Sequence, residues 1–281
     1  FNDRKWNSIT VPSNWEMQGY GQALFRNVSA PWATNRPRST SANPYSKTPP
    51  EVPMDVNPTG AYRTSFSIPS SWNGEQVFLR FEKVASASFV WVNGQQVGYN
   101  EGAQEPSEYN ITKYIKPGKN QLSVLVLKFS DGGYMETQDF WRLAGIFNDV
   151  TVYHTRDTRI FDYQVITDFD SSYTDSDVSL AVDIKSYDKP ALGMSLSAEI
   201  SRDGITVARM EESGIDIPAG EKNTVCFASN VTSPLKWTAE TPELYDLAMT
   251  LRDASGKVVD TMVKRMGFKK TEIIDGVFYL N

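Results

Sequence analysis

The sequence predicts an all-β protein with two β domains in tandem, and three observations support that fold class. Apolar and polar residues alternate with a period of two in both halves of the chain, which is typical of half-buried strands. These runs are bounded by Gly, Pro, Asn or Ser, the residues that form turns. No long amphipathic helix and no strand–helix alternation appears, which argues against an α/β fold. A chain of 281 residues with 40% apolar content can form two medium-sized cores.

The first domain, residues 1–155, is predicted from three alternating runs and one hairpin. Asn93-Gly94 lies between two apolar runs, and this dipeptide accepts positive φ at both centres of a type I′ turn, so it predicts a tight hairpin. The alternating positions are Val77, Leu79 and Phe81 in the first run, Phe89 and Trp91 in the second, and Leu122, Val124 and Val126 in the third.

The second domain, residues 156–268, is predicted to be an immunoglobulin-like β-sandwich, because its alternating runs recur at turn-separated spacings. We place the boundary near residues 155–157, where the alternation breaks and a charged run begins. Cys226 is the only cysteine, so this domain lacks an intersheet disulfide and its core depends on packing. The alternating positions are Val178, Leu180, Val182 and Ile184, then Met194, Leu196, Ala198 and Ile200, then Val225 and Phe227, and finally Leu247, Met249 and Leu251.

Composition excludes several classes of function. The net charge of −6, with dispersed Lys and Arg, argues against a nucleic acid or an anionic membrane as partner and favours a neutral ligand. One cysteine and one histidine, His154, exclude a Cys-rich or multi-histidine metal centre. No Gly-x-Ser-x-Gly elbow accompanies His154, so we interpret it as a surface or boundary residue at a strand end. No segment resembles a membrane span or a signal peptide, and the start at Phe1 suggests a cut or processed terminus.

The segment from Tyr134 to Val150 is the most informative candidate site. It supplies the carboxylates of Glu136 and Asp139 beside the rings of Phe140 and Trp141. Carboxylates accept hydrogen bonds from sugar hydroxyls, and flat aromatic faces suit the C–H face of a sugar ring. The alternative is that these aromatic residues are ordinary core residues.

Eight blocks of the sequence occur in a recognisable order: Val11–Gly21, Phe25–Val28, Asn57–Tyr62, Gly98-Tyr99, Pro106–Asn110, Trp237–Tyr245, Gly267-Phe268 and Tyr279–Asn281. Together they resemble the amino-terminal region of glycoside hydrolase family two, specifically its bacterial β-galactosidases. The resemblance implies a galactose-binding-like jelly-roll sandwich for the first domain. It also implies that residues 269–281 begin the link into a (β/α)8 barrel, which carries both catalytic glutamates and is missing from this chain.

Matching motif by motif, the resemblance implies that Asn27 and Asp139 contact galactose hydroxyls. Asp139 would also be one ligand of a sodium ion, with magnesium as a second cation of the whole enzyme; neither is expected to bind tightly to this chain alone. Trp141 is interpreted as a supporting residue that packs behind Asp139, because the strand over residues 146–153 would carry it inward. Without the resemblance, Asn27 would be read as a turn or cap residue. Asn148 replaces an arginine that many relatives carry.

The leading hypothesis is therefore the non-catalytic amino-terminal part of a retaining β-galactosidase, inactive alone. Glu105 and Glu108 flank Pro106-Ser107, but we assign them to cap or edge-strand roles rather than to a catalytic pair. The irregular, Pro-rich segment from Pro31 to Thr59 is predicted to be functional. The expected partners are a galactoside, the enzyme's own barrel and, in the parent, further copies of itself.

Two alternatives stay open: a free-standing carbohydrate-binding module, and a related family-two β-glucuronidase or β-mannosidase. The module is a binding protein rather than part of an enzyme, whereas the related glycosidases differ only in the sugar they cleave. The sequence leaves the compartment undetermined between bacterial cytoplasm and periplasm.

Overall fold

The computed structural model describes residues 2–25, 52, 57–134, 136 and 140–281. Within these ranges the protein is all-β, as predicted, and its helices are short 3-10 turns. Most of the Pro-rich segment predicted to be functional lies outside the described residues. The chain forms two compact units, Phe1–His154 and Thr155–Asn281. The 3-10 turns span Trp15–Gln18, Ser70–Trp72, Thr112–Tyr114 and Asp131–Tyr134.

The first unit contains a four-stranded sheet in the order β2-β8-β5-β6 and a three-stranded sheet in the order β11-β3-β7. Two short pairings, β1 with β9 and β10 with β4, lie outside these sheets. The strands are β1 Leu24–Phe25, β2 Thr59–Ile68, β3 Gln76–Phe81, β4 Val84–Ala85, β5 Ala87–Val92, β6 Gln95–Asn100, β7 Ser107–Asn110, β8 Gly118–Leu127, β9 Trp141–Arg142, β10 Gly145–Ile146 and β11 Val150–Thr155.

The core of this unit contains apolar residues from both sheets. The predicted inward positions of β8, residues 122, 124 and 126, are buried, which confirms that run. In β5 the buried positions are Val90 and Val92, whereas Phe89 and Trp91, the alternating positions named from the sequence, are partly exposed. Successive strand residues point to opposite faces, so the two valines fill the core and the two rings lie outside. There Phe89 packs against Tyr99 of the neighbouring strand at 4.7 Å between ring centroids.

The predicted hairpin is confirmed. Asn93 and Gly94 connect β5 to β6 with φ values of 51° and 83°. These angles lie in the left-handed region that a type I′ turn requires at both of its central positions.

The second unit has sheets in the orders β12-β13-β16 and β15-β14-β17-β18, together with the separate hairpin β19-β20. Two facing antiparallel sheets agree with the predicted immunoglobulin-like sandwich. The strands are β12 Thr158–Phe169, β13 Ser176–Ser186, β14 Ala191–Arg202, β15 Ile205–Ile217, β16 Lys222–Val231, β17 Tyr245–Arg252, β18 Val258–Met266, β19 Thr271–Ile274 and β20 Val277–Leu280.

The core of the second unit follows the predicted alternation closely. The inward positions of β13, β14 and β17 are all buried, and Val225 of β16 is buried beside partly buried Phe227. The single cysteine, Cys226, lies between these two residues and faces outward, exposed. Two residues of the final hairpin, Ile273 and Phe278, are 73% and 66% exposed.

Within the described part of the chain, no helix has the length and apolar character needed to cross a membrane.

Candidate functional site

A cleft of about 360 Å³ opens in the first unit, where β8 ends and the segment leading into β9 and β10 begins. It contains described residues of the predicted site segment, namely Glu136, Phe140 and Trp141. Its described lining is mixed, with two cations and one carboxylate among aromatic, polar and small side chains. The remaining lining residues are Asn14, Ala85, Ser86, Ala103, Gln104, Lys128, Phe129, Ser130, Gly133, Arg142, Leu143 and Phe147.

Lys128, one of the residues that line this cleft, forms a buried ion pair with Glu16. The ammonium group of Lys128 donates to Glu16 Oε1 at 2.6 Å, and the two side chains are only 7% and 0% exposed. Glu16 Oε2 accepts the backbone N–H of Ala144 at 3.0 Å, and Lys128 Nζ also donates to the carbonyl of Gln22 at 3.3 Å. Buried charges are tolerated when they are paired and hydrogen-bonded, so this pair joins three distant segments at one point.

The amino-terminal segment packs directly against the chain around β10. The backbone N–H groups of Ser13 and Trp15 donate to the carbonyls of Ile146 and Ala144 at 2.9 and 3.0 Å. Gly145 adopts φ +123°, and a Cβ there would lie 3.0 Å from the carbonyl oxygen of Ser13, so the approach requires glycine. The position of the segment that follows β9 is therefore fixed by the chain's first residues.

Two exposed aromatic residues form the rim of the site. Strand β1 pairs with β9 so that Phe25 lies opposite Trp141, and their ring centroids are 5.6 Å apart. The two side chains are 51% and 58% exposed, and the neighbouring Phe140 is 52% exposed. The expectation that Trp141 is carried inward was therefore wrong. Its strand is β9, which pairs with β1, rather than an extension of the strand over residues 150–155.

Asn27 and Asp139, the two predicted sugar contacts, lie outside the described residues. In the sequence, Asn27 comes two positions after Phe25 and Asp139 comes two positions before Trp141. Both are thus close in sequence to the residues of the β1–β9 pairing.

Glu136, the other carboxylate predicted in this segment, accepts a hydrogen bond from the backbone N–H of Ala103 through Oε1 at 2.8 Å. Glu136 therefore connects the site segment to the loop after β6. The loop after β8 is also held by hydrogen bonds, because the Asn57 side chain donates to the carbonyl of Phe129 at 2.8 Å and accepts its N–H at 2.9 Å. Together these contacts give the cleft a hydrogen-bonded frame.

A second pair of carboxyl groups, Glu101 and Asp131, lies near this frame. Their hydrogen bond and the burial of Glu101 raise the pKa of Glu101, while the Tyr99 hydroxyl donates to the same carboxylate at 3.0 Å and opposes the shift. The pKa of Tyr99 is raised to about 12, mainly by burial and to a smaller extent by the hydrogen bond to the Glu101 carboxylate. In a retaining glycosidase the two catalytic carboxyl groups lie about 5–5.5 Å apart, on either side of the glycosidic bond. Glu101 and Asp131 hydrogen-bond to each other and leave no room for that bond, so they do not form such a pair.

The other candidate groups of the sequence have structural surroundings. Glu105 is exposed, and Glu108 lies in strand β7, where it pairs with Arg80 at 3.6 Å and accepts the Tyr153 hydroxyl. His154 is exposed and stacks on Trp72 at 4.4 Å between ring centroids, as expected for a boundary residue. Among the described residues, no group of three or more His, Cys, Asp and Glu side chains is arranged to bind a metal ion.

Sequence reasoning missed Glu16 and Lys128. One signal was available for Lys128: it continues the even-numbered, inward-facing positions of β8, where a charged residue requires a buried partner. No local pattern identifies Glu16 as that partner, since it lies 112 residues away.

Comparisons with known proteins agree over the whole chain. The profile described as glycosyl hydrolases family 2, sugar binding domain, matches residues 3–156, and that described as glycosyl hydrolases family 2 matches residues 158–269. A β-galactosidase from Priestia megaterium is 35% identical over 283 residues, covering 100% of this chain and 26% of the relative. A β-galactosidase from Photobacterium profundum is 36% identical over 284 residues, with the same two coverages.

Among solved structures, Bacteroides uniformis β-glucuronidase 2 superposes with a TM-score of 0.78 at 23% identity, covering 100% of this chain and 31% of that one. At this identity the likeness shows the fold alone. The chain spans about a quarter of the length of the curated relatives it matches, 26% for both β-galactosidases.

Proposed function

The chain belongs to glycosyl hydrolases family 2, and from that premise we propose that it forms the amino-terminal, non-catalytic part of a retaining β-galactosidase. The observation that carries the proposal is its 35–36% identity to β-galactosidases over its entire length, combined with its coverage of only 26% of theirs. In this proposal the first unit completes the substrate pocket, and residues 269–281 lead into the catalytic barrel.

The role we assign to the chain is positioning. Asp139 accepts hydrogen bonds from galactose hydroxyls, and the amide of Asn27 both accepts and donates them, which orients the ring without covalent chemistry. Their positions in the sequence support this assignment, because Asn27 follows β1 by two residues and Asp139 precedes β9 by two, and β1 and β9 are paired. The buried pair of Glu16 and Lys128 holds the described chain around the cleft in place.

Asp139 is also proposed as one ligand of a sodium ion. A carboxylate oxygen is a suitable ligand for a hard cation, and the remaining protein ligands would come from the barrel. Bound there, the cation would supply positive charge next to the sugar hydroxyls. Magnesium is proposed only for the whole enzyme, and so is assembly into a homo-oligomer.

The exposure of Trp141 supports a different role from the one its sequence suggested. We propose that its ring forms a wall of the substrate cleft, with Phe25 packed against its side. Apolar ring faces suit the C–H face of a sugar, and such contacts bind ground state and transition state alike.

Trp141→Leu in the full-length enzyme is therefore expected to raise KM by about 3–10-fold with little change in kcat, because uniform binding is lost. Steady-state kinetics with an aryl galactoside measures both constants, and Trp141→Phe, which keeps a ring, should show less than half of the effect. Phe161→Leu, a change at a half-exposed ring of the second unit, is the matched control. A fall in kcat with unchanged KM would show that the residue instead supports the reacting groups.

The 281-residue chain alone is expected to fold, to release no chromophore from an aryl β-galactoside, and to bind galactose with a dissociation constant in the millimolar range or weaker. Each remaining hydrogen bond contributes about 0.5–1.5 kcal/mol against an association cost of at least about 4 kcal/mol. The full-length protein, assayed in parallel, should cleave the galactoside and discriminate against the matching glucuronide and mannoside.

Two results would contradict this division of labour. Chromophore release by the short chain, abolished by changing Glu105 or Glu108, would place a catalytic pair within it. Micromolar galactose binding without hydrolysis, in a full-length protein that lacks activity as well, would favour the free-standing carbohydrate-binding module.

A further inference from the structure

A second and larger cavity, of about 940 Å³, lies in the first unit at the opposite end of strand β8 from the substrate cleft. Lys119, Asn120 and Gln121 line it at the start of the strand, whereas Lys128 lines the cleft just after the strand ends. At about 3.3 Å per residue, the two ends are separated by about 25 Å. A ligand in this cavity would therefore not touch the substrate cleft.

The cavity concentrates positive charge in an acidic chain. Among the described residues that line it, Arg63, Lys113, Lys116 and Lys119 are cationic and Asp3 is the one carboxylate. Asp3 pairs with Arg63 at 3.3 Å, so none of the described acidic lining residues is left for the three lysines. The chain as a whole has a net charge of −6, so the excess of cations around the cavity is opposite in sign to the charge of the whole chain.

The side chains of Asn93 and Asn120 hydrogen-bond to the loop between Lys113 and Lys119 and hold it in place. Asn120 is 1% exposed, its Oδ1 accepts the N–H of Lys116 at 2.9 Å, and its Nδ2 donates to the carbonyls of Lys116 and Gly118 at 2.7 and 2.9 Å. Asn93 of the β5–β6 turn donates to Asn120 Oδ1 and to the carbonyl of Tyr114, both at 2.8 Å. These hydrogen bonds hold the backbone between Tyr114 and Gly118, so the cost of bringing the cations together is met when the chain folds rather than when a ligand binds.

The remaining lining adds neutral hydrogen-bonding groups. Ser65 of β2 lies directly across from Gln121 of β8, and Gln95 begins β6, which is separated from β8 by β5. All three side chains are exposed toward solvent. Hydroxyl and amide groups both donate and accept, which suits the hydroxyls of a polyol. Lysine ammonium groups bind oxyanions as point charges.

From this combination we propose that the cavity binds a polyhydroxylated oxyanion, a sugar that carries a phosphate group. The oxyanion lies among the three lysines, and the hydroxyls contact the amide and hydroxyl side chains of the strands. The site is independent of the galactoside site, so either assignment can fail without the other.

Titration calorimetry of the 281-residue chain with glucose 6-phosphate tests the proposal, with inorganic phosphate and glucose as separate probes. We expect saturable binding of glucose 6-phosphate in the millimolar range or tighter, binding of inorganic phosphate at least several-fold weaker, and none by glucose. Because exposed charges are screened, raising the ionic strength from about 0.05 to 0.5 M should weaken binding by about 10-fold.

The variant is the triple change Lys113→Gln, Lys116→Gln and Lys119→Gln, which should weaken glucose 6-phosphate binding at least about 10-fold. All three lysines are exposed, so the melting temperature should not fall. The matched control makes the same change at three exposed lysines of the second unit, Lys189, Lys257 and Lys264, and should leave binding unchanged.

Three outcomes would overturn the proposal. Absence of saturable binding would remove the site. Equal affinities for inorganic phosphate and glucose 6-phosphate would remove the sugar from the ligand class. Undiminished binding by the triple variant, or an equal loss in the control, would place the interaction elsewhere on the chain.

Discussion

Asp139→Ala in the full-length enzyme is expected to lower kcat by about 10²–10³-fold, the loss typical of removing one group that stabilises a transition state. A carboxylate that orients the ring through its hydroxyls, and holds a cation beside it, acts most strongly when the sugar distorts toward the transition state. Asn27→Ala should lower kcat by less, because a neutral amide makes weaker hydrogen bonds than a carboxylate does.

The matched control for this prediction is Glu105→Ala. Glu105 is an exposed carboxylate of the same unit and does not line the cleft, so its removal should leave kcat within about two-fold. Steady-state kinetics and thermal unfolding should be measured together on each variant. If Asp139→Ala unfolded at a markedly lower temperature while its folded fraction kept the full kcat, the residue would be structural and the site assignment wrong.

Lys128→Met is expected to cause the largest loss of stability, about 3–5 kcal/mol, because it leaves the Glu16 carboxylate buried without its counter-ion. The side chain of Glu16 is 0% exposed, and in the variant it would keep the hydrogen bond from the Ala144 N–H but lose its counter-ion. Thermal unfolding followed by circular dichroism should show a fall of about 10 °C in the transition of the first unit.

Two further variants separate the effect of charge from that of packing. Lys5→Met changes an exposed lysine of the same unit and should shift the transition by less than about 2 °C. Glu16→Gln combined with Lys128→Met removes both charges and should recover at least half of the loss. Equal stabilities for the single and double variants would show that the cavity around position 128, rather than the unpaired charge, is responsible.

The sequence allowed the fold to be predicted because burial in a sandwich imposes a period of two that is visible locally. The inward positions of β8, β13, β14 and β17 followed from alternation alone. The facing of Phe89 and Trp91 did not, because the run Phe-Val-Trp-Val is apolar at every position and alternation cannot say which set points inward.

The site was less predictable because its frame is made by contacts between distant parts of the chain. Trp141 is exposed through a two-residue pairing with β1, more than a hundred positions earlier, which no local pattern encodes. The partner of Lys128 and the walls of the larger cavity depend on the fold in the same way. For Asn27 and Asp139 the prediction rests on the resemblance to a family, and their roles stay predictions until the variants are measured.

The outward-facing Cys226 has a practical consequence for measuring subunit assembly. As the single thiol of the chain, and an exposed one, it can form a disulfide only with another molecule. Storage in air would therefore produce covalent pairs linked through β16, and their mass would imitate that of a native dimer. Sizing in the presence of a reductant, or after alkylation of this thiol, reports the non-covalent association of the 281-residue chain by itself, whereas the proposed homo-oligomer belongs to the whole enzyme.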